Sequence, residues 1–310
     1  MKILVTGGAG FIGSQVADRY LELGHDVVIV DDLSTGKERN VNPRARFYRM
    51  DIRDRALREV FERERPEVIN HHAAQVDLRR SVGEPSWDAG INILGSLHLL
   101  ELAQAFEVHR LIYISTGGAV YGEPEYRPVD ERHRIKPLSP YGISKHTVER
   151  YLTLYGKSHG LPYTILRYPN VYGPRQDPKG EAGVVAIFSQ RMLSGLRPTI
   201  FGDGSKTRDY VYVQDIAEAN VLALTAETGE VFNLGWGREV RDIEVFEAIR
   251  RAVGQQIEPV YSEKRPGEVD RICLDSSKAR RILGWEPKVT LEEGIRRTVS
   301  FYRLAAQAEL

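Results

Sequence analysis

The first thirteen residues, MKILVTGGAGFIG, restrict what this chain can fold into more than any other stretch. Ile3, Leu4 and Val5 make an unbroken apolar run, which suits a strand covered on both faces of a parallel sheet. Gly7, Gly8, Gly10 and Gly13 follow, and apolar residues then recur at helical spacing from Phe11 to Leu23. Strand, glycine turn and helix in this order form the context of a dinucleotide site, here spaced G-x-x-G-x-x-G. Gly7 and Gly10 let the backbone turn tightly and approach a pyrophosphate, and Gly13 lets helix and strand close up. The helix opens at Phe11 and Ile12, where free N–H groups and the positive dipole end meet the phosphates.

The next segments extend the same pattern. His25 to Val30 reads as a second strand ending at Asp31 and Asp32. A carboxylate there accepts hydrogen bonds from the adenosine ribose and repels a 2′-phosphate, so Asp31 predicts NAD and not NADP. Asp32 reads as an acidic turn residue. Arg46 to Met50 is a third strand, and Asp51 after it either meets the adenine amino group, with Ile52 beside the ring, or caps a helix over Arg55 to Arg63. Val68 to Asn70 is a fourth strand, and the small Ala73 and Ala74 at its end let a cofactor lie against the backbone. A helix over 87–106 carries Asn92, which needs partners inside an apolar helix. Leu111 to Ile114 is a fifth strand, running into a loop of small residues and hydroxyls from Ser115 to Gly122. A helix starting near Ser139 and Pro140 holds Tyr141 and Lys145 on one face. An ammonium close to a phenol favours phenolate, giving a group able to act as acid and base near neutral pH.

Bulk properties exclude several functions. Lys plus Arg equals Asp plus Glu at 43 each, leaving no net charge to draw nucleic acid or an anionic membrane. No apolar run is long enough to span a bilayer, and metal-ligand spacing of Cys and His is absent. The single cysteine, Cys273, rules out an internal disulfide and, with no signal peptide, predicts a cytoplasmic protein.

Taken together, Gly7 to Gly13, Asp31, Asn92, Ser115 to Gly122 and the Tyr141/Lys145 pair resemble the extended short-chain dehydrogenase/reductase superfamily. Arg167 to Pro174 (RYPNVYGP), Gly202 to Val211 (GDGSKTRDYV), Phe232 to Gly235, Arg265 to Glu268 and Ile282 to Pro287 resemble its nucleotide-sugar epimerase/dehydratase group. The resemblance covers essentially the whole chain. It implies a doubly wound Rossmann sheet from residues 1–166 plus about 209–236, and a smaller α/β substrate part from 167–208 and 237–310. It implies bound NAD, with Asn92, Ser115, Tyr141, Lys145 and Tyr168 added to its contacts, a UDP-sugar substrate and a homodimer joined through helices near 87–106 and 141–157. For the substrate it implies Gln75 and Asn170 near the sugar or diphosphate, Arg208 and Arg265 clamping the diphosphate, Val184 and Phe201 lining the uracil pocket, and Glu268 on the uridine ribose.

Two departures matter. The family's usual Ser or Thr before the Tyr-Gly pair is Gly117 here, one residue after Thr116, so either Thr116 reaches the sugar O4 or Tyr141 works alone; Thr116 is the expected partner. The lysine that some relatives carry near the nicotinamide side is Val76. The shared opening step is loss of the sugar C4 hydride to NAD as Tyr141 takes the hydroxyl proton. Dehydratases follow the loop threonine with an acidic pair, whereas Gly117, Gly118 and Ala119 hold no acid or base. The expected reaction is therefore 4-epimerisation of a UDP-hexose, with UDP-GlcNAc or UDP-glucuronate as open alternatives near Ile272. A sugar dehydratase or reductase is the enzymatic rival, and a non-catalytic dinucleotide sensor, which would lack the Tyr/Lys pair, the rival from another class.

Overall fold

The computed structural model describes residues 1–179, 183–264 and 269–308. Its centre is a seven-stranded, all-parallel sheet. The strands are β1 (Lys2–Thr6), β2 (Asp26–Asp31), β3 (Arg46–Arg49), β4 (Val68–His71), β5 (Arg110–Thr116), β6 (Tyr163–Tyr168) and the late strand Glu230–Asn233. Their spatial order is Glu230–Asn233, β6, β5, β4, β1, β2, β3. The order reverses between β1 and β4, so their C-terminal ends open a crevice at the switch point.

β1 lies in the middle, and Ile3, Leu4 and Val5 have no exposed surface, as an unbroken apolar run in a doubly covered strand requires. Two apolar clusters cover the two faces. One joins α1 (Phe11–Glu22) to the helix Val213–Ala223; the other gathers α2 (Leu57–Glu64), the helix Ser96–Ala105 and the helix Pro140–His159. A third cluster, built around Phe188, Tyr212, Phe246 and Ile295, packs the helices Val184–Leu193, Asp242–Val253 and Leu291–Ala308.

The helix expected over 87–106 runs without a gap over 85–105, as Pro85–Ala89, a π-helical turn Gly90–Gly95 and Ser96–Ala105. Gly95 lies against Ile52, where an added Cβ would come within 2.7 Å of the Ile52 side chain. The wide turn carries Asn92, as π-turns often do at functional sites. Val240 and Arg241 pair with Arg208 and Thr207 before the helix begins at Asp242. The helix Pro140–His159 starts as its sequence dictates: Ser139 accepts a hydrogen bond from the Gly142 N–H at 3.2 Å, with Pro140 at the first position.

Candidate active site

The glycine turn joins β1 to α1 and touches the end of β4. Gly7 has φ +69°, and a Cβ on it would lie 2.6 Å from the Ala73 nitrogen; a Cβ on Gly13 would run into the Gly7 carbonyl. Gly7 therefore needs glycine for conformation and for space, and Gly13 for space alone. Gly10 caps α1 with no side-chain acceptor, and no acidic residue lies in the first turn. The N–H groups of Phe11 and Ile12 thus open an uncontested anion receptor.

Asp31 grips this turn. It is buried, and its two carboxylate oxygens accept the Ala9 N–H at 2.9 Å and the Leu33 N–H at 2.8 Å. Burial pushes its carboxyl up, while those two donors hold it down. Each carboxylate oxygen keeps a second lone pair able to meet ribose hydroxyls. Asp32 is the turn residue expected of it, accepting the Ser34 N–H at 2.8 Å. Asp51 does not cap a helix: α2 begins at Leu57, and Asp51 instead binds Arg53 through both carboxylate oxygens. The hydrogen bonds from Arg53 hold its carboxyl below the usual range. Ile52 is buried beside it. A glycine cradle, a free helix N-terminus and a paired-donor carboxylate suit a dinucleotide.

The loop after β4 is tied to β1 and to the π-turn. Ala73 donates to Thr6 Oγ1 at 3.2 Å, and Ala74 follows it toward Gln75. Asn92 holds Gln75 by both backbone groups, accepting from its N–H at 2.9 Å and donating to its carbonyl at 3.0 Å. Asn92 also donates to Asp88 at 3.0 Å, and Asp88 accepts from Ser144 on the Tyr141 helix at 2.6 Å. Asn92 therefore spends its amide on protein partners. Gln75 does too: its amide nitrogen donates to the Asp77 carbonyl at 2.8 Å and to Asp88 at 3.1 Å, and its amide oxygen accepts from the Asp77 N–H. Both amides brace the loop in this arrangement, where the sequence suggested ligand contacts. Val76, next along, is half exposed.

Tyr141 and Lys145 sit one turn apart and face the end of β5. Tyr141 is half-buried, and burial, with the Asp88 charge, raises its phenol above the ordinary value. Burial lowers the Lys145 ammonium to about 7, against the opposing pull of Glu149 and Asp88. The downward shift expected for Tyr141 from its spacing to Lys145 is thus reversed. The causes are burial of the phenol and the Asp88 charge; Lys145 Nζ itself stands 4.5 Å from the centroid of the Tyr113 ring. Thr116 ends β5, and its hydroxyl has no hydrogen-bond partner among the described residues. Ser115 points the other way and donates to Glu149 at 2.6 Å.

Glu149 anchors a buried network absent from the sequence reading. It takes Arg167 through two contacts, at 2.9 and 2.6 Å, and lies 2.9 Å from His146 Nδ1. Arg167 reaches Tyr121 Oη at 2.7 Å, and Tyr121 donates to Asn233 at 2.8 Å. Glu149, one turn beyond Lys145, and Arg167, a charge inside an apolar strand, were the signals available in the sequence.

On the substrate side, Asn170 opens the strand Asn170–Tyr172, and its N–H donates to the Asp209 carbonyl at 2.9 Å. Arg208 is half-buried and donates to the Thr207 carbonyl at 2.8 Å. Val184 starts its helix and Phe201 ends its strand, both half-buried. Tyr168 is buried, and its hydroxyl accepts from Asn220 at 2.6 Å. Arg265 and Glu268 lie outside the described residues. Asp209, beside Arg208, is buried on three backbone donors (Trp236, Gly237 and Leu274), and burial raises it to about 6.

The chain is similar to solved structures over nearly its full length. It superposes on a UDP-glucose 4-epimerase with UDP-glucose from Thermotoga maritima with a TM-score of 0.97 at 50% identity, covering 99% of this chain and 100% of that one. A UDP-glucose 4-epimerase from Thermus thermophilus in complex with NAD gives 0.93 at 45% identity, covering 98% and 99%. The UDP-glucose 4-epimerase of Mycolicibacterium smegmatis is 45% identical over 99% of this chain and all of its own length. The profile of the NAD dependent epimerase/dehydratase family matches residues 3–235, across the cradle, the loop after β4 and the Tyr141 helix. The chain therefore belongs to the NAD dependent epimerase/dehydratase family, and NAD is its cofactor.

Proposed function

We propose that this protein is a UDP-hexose 4-epimerase that interconverts UDP-glucose and UDP-galactose. One observation carries the choice within the family. The turn after Thr116, Gly117–Val120, packs against the Tyr141 helix and holds only Gly, Gly, Ala and Val. No acid or base stands there to eliminate water, so the oxidised sugar can only be reduced again.

In this reading Tyr141 Oη takes the proton of the sugar C4 hydroxyl and later returns it to the opposite epimer. Bound NAD would supply the reversible hydride acceptor for the sugar C4, and its positive charge would favour the Tyr141 phenolate. Lys145 supplies a second positive charge on the same helix face, and Thr116 Oγ1 steadies the sugar O4. Gly7, Gly10, Phe11, Ile12 and Gly13 would hold the pyrophosphate, Asp31 the adenosine ribose, and Asp51 with Ile52 the adenine. Ala73, Ala74, Ser115 and Tyr168 would wall the cofactor, and Asn92 would act on it only by bracing Gln75. Arg208 and Arg265 would clamp the diphosphate as charge-assisted donors while the keto sugar turns over. Asn170, Val184, Phe201 and Glu268 complete the nucleotide-sugar set.

We divide the chain accordingly into a cofactor part, 1–166 with about 209–236, and a substrate part, 167–208 with 237–310. Exposed Leu94, Ile143 and Leu154 on the π-turn and the Tyr141 helix support a homodimer through those helices. No helix among the described residues is long and apolar enough to cross a membrane, and we infer a cytoplasmic enzyme. The test is conversion of UDP-galactose to UDP-glucose with no added reductant. Stoichiometric NADH or a 4-keto-6-deoxy product would overturn the reading.

A further inference from the structure

The turn after Thr116 is walled by a residue from the far end of the chain. A Cβ on Gly117 would fall on the Leu274 side chain, against Cδ1 and at 2.9 Å from Cδ2 and 3.2 Å from Cγ. Those atoms are a side-chain tip, but this tip has nowhere to go. Leu274 is 1% exposed and packs with Val120, Tyr121, Val129 and Ile272. Its backbone is pinned as well. Its N–H donates to Asp209 Oδ2 at 3.0 Å, and Val129 binds the flanking Cys273 carbonyl and Asp275 N–H, each at 2.8 Å. On the opposite side a Cβ on Gly235 would lie 2.8 Å from the Leu274 carbonyl oxygen.

Gly118 is different: the nearest atom to a Cβ there is Thr116 Oγ1, at 3.8 Å, so that side of the turn is open. The turn is wedged from behind too, since a Cβ on Gly142, next to Tyr141, would lie 2.7 Å from the Ala119 carbonyl oxygen. Leu274 thus presses on one side of a turn whose other side abuts the first turn of the Tyr141 helix. A close-packed contact of this kind transmits displacement instead of absorbing it.

We propose that Leu274 is a positioning residue for the reaction. Its isobutyl group occupies the volume that a side chain at position 117 would fill, and so sets the turn to present the Thr116 hydroxyl beside Tyr141. Glycine at position 117 and leucine at position 274 are one device: the reactive end of β5 keeps a single hydroxyl because Leu274 takes the place of a second. Through Asp209, which follows Arg208 in the chain and accepts the Leu274 N–H, the same residue links the turn to the proposed diphosphate clamp. This assignment rests on Tyr141 being the base.

The test is a double-mutant cycle on the NAD-loaded enzyme with Gly117→Ser, Leu274→Ala and the pair, read by thermal unfolding and by UDP-galactose epimerisation. Gly117→Ser alone is expected to lower the melting temperature by about 5 °C and kcat by about 100-fold. Adding Leu274→Ala should recover at least half of the lost melting temperature and about tenfold in kcat, since the serine then has room. Leu274→Ala alone should lower kcat with KM little changed and move the pH profile of kcat. A purely structural Leu274 would lower the melting temperature and leave kcat and its pH profile alone, and that result overturns the proposal. So does strict additivity of the two melting-temperature losses. If Gly117→Ser yields no folded protein, recovery of folding in the pair supports the proposal and failure of both overturns it. The unfolding arm needs no turnover: if Tyr141→Phe stays active while the coupling persists, it is the role of Tyr141 that fails.

Discussion

Tyr141 is surrounded by groups that do not favour its ionisation: burial and Asp88 both raise its phenol. A base in that setting depends on positive charge brought close to it, and removing the hydroxyl leaves no substitute within the turn 117–120. Tyr141→Phe is expected to lower kcat by about 1000-fold or more, with NAD still bound by the cradle at the other end of the crevice. Near-normal kcat in a rapid-quench assay would remove Tyr141 from its role. Asn92 makes the opposite case at the same scale. Its amide makes three hydrogen bonds, two with Gln75 and one with Asp88, and the residue is 2% exposed. Asn92→Ala would leave a buried N–H and carbonyl of Gln75 unpaired, at a cost of about 2–3 kcal/mol. Denaturant unfolding with an unchanged midpoint would contradict this.

Among the elements, the Tyr141 helix does most to organise the site, and its inner face is legible only in part. Ser139, Pro140, Tyr141 and Lys145 announce themselves in sequence as cap, first-turn residue and the pair proposed to react. Glu149 does not, because its meaning depends on Arg167 from β6 and Ser115 from β5 arriving at one point. Although burial opposes it, hydrogen bonds from Arg167, His146 and Ser115 bring the Glu149 carboxyl from 4.5 down to about 2. A carboxyl lowered on folding stabilises the native state above its unfolded value, and that contribution is lost as pH falls from 4.5 towards 2. Glu149→Gln should therefore flatten the acid limb of stability against pH across that window. An acid limb as steep as that of the parent protein, measured by urea unfolding at stepped pH, would exclude the network as its source.

For the whole molecule, the apolar residues left at the surface matter most. Leu94, Ile143 and Leu154 are each more than half exposed, on two neighbouring elements beside the site. Burying them in a helix-to-helix dimer predicts that Ile143→Asp with Leu154→Asp converts a dimeric species to monomer in light scattering; a species that is monomeric without the changes would refute the dimer. The strand, glycine turn and helix at the N-terminus, the Asp31 carboxylate at the end of β2 and the placing of Tyr141 and Lys145 on one helix face were all readable in sequence. Each is a local pattern whose physical demand falls on neighbouring residues: conformation at Gly7, a helix start at Phe11, one helix face at Tyr141. The tertiary structure alone decided what depends on distant residues meeting. It turned the amides of Asn92 and Gln75 to bracing, set the Lys145 ammonium over the Tyr113 ring, and brought Leu274 against Gly117. Those outcomes follow from how volume and polar partners are shared across the core, and no spacing along the chain encodes that sharing.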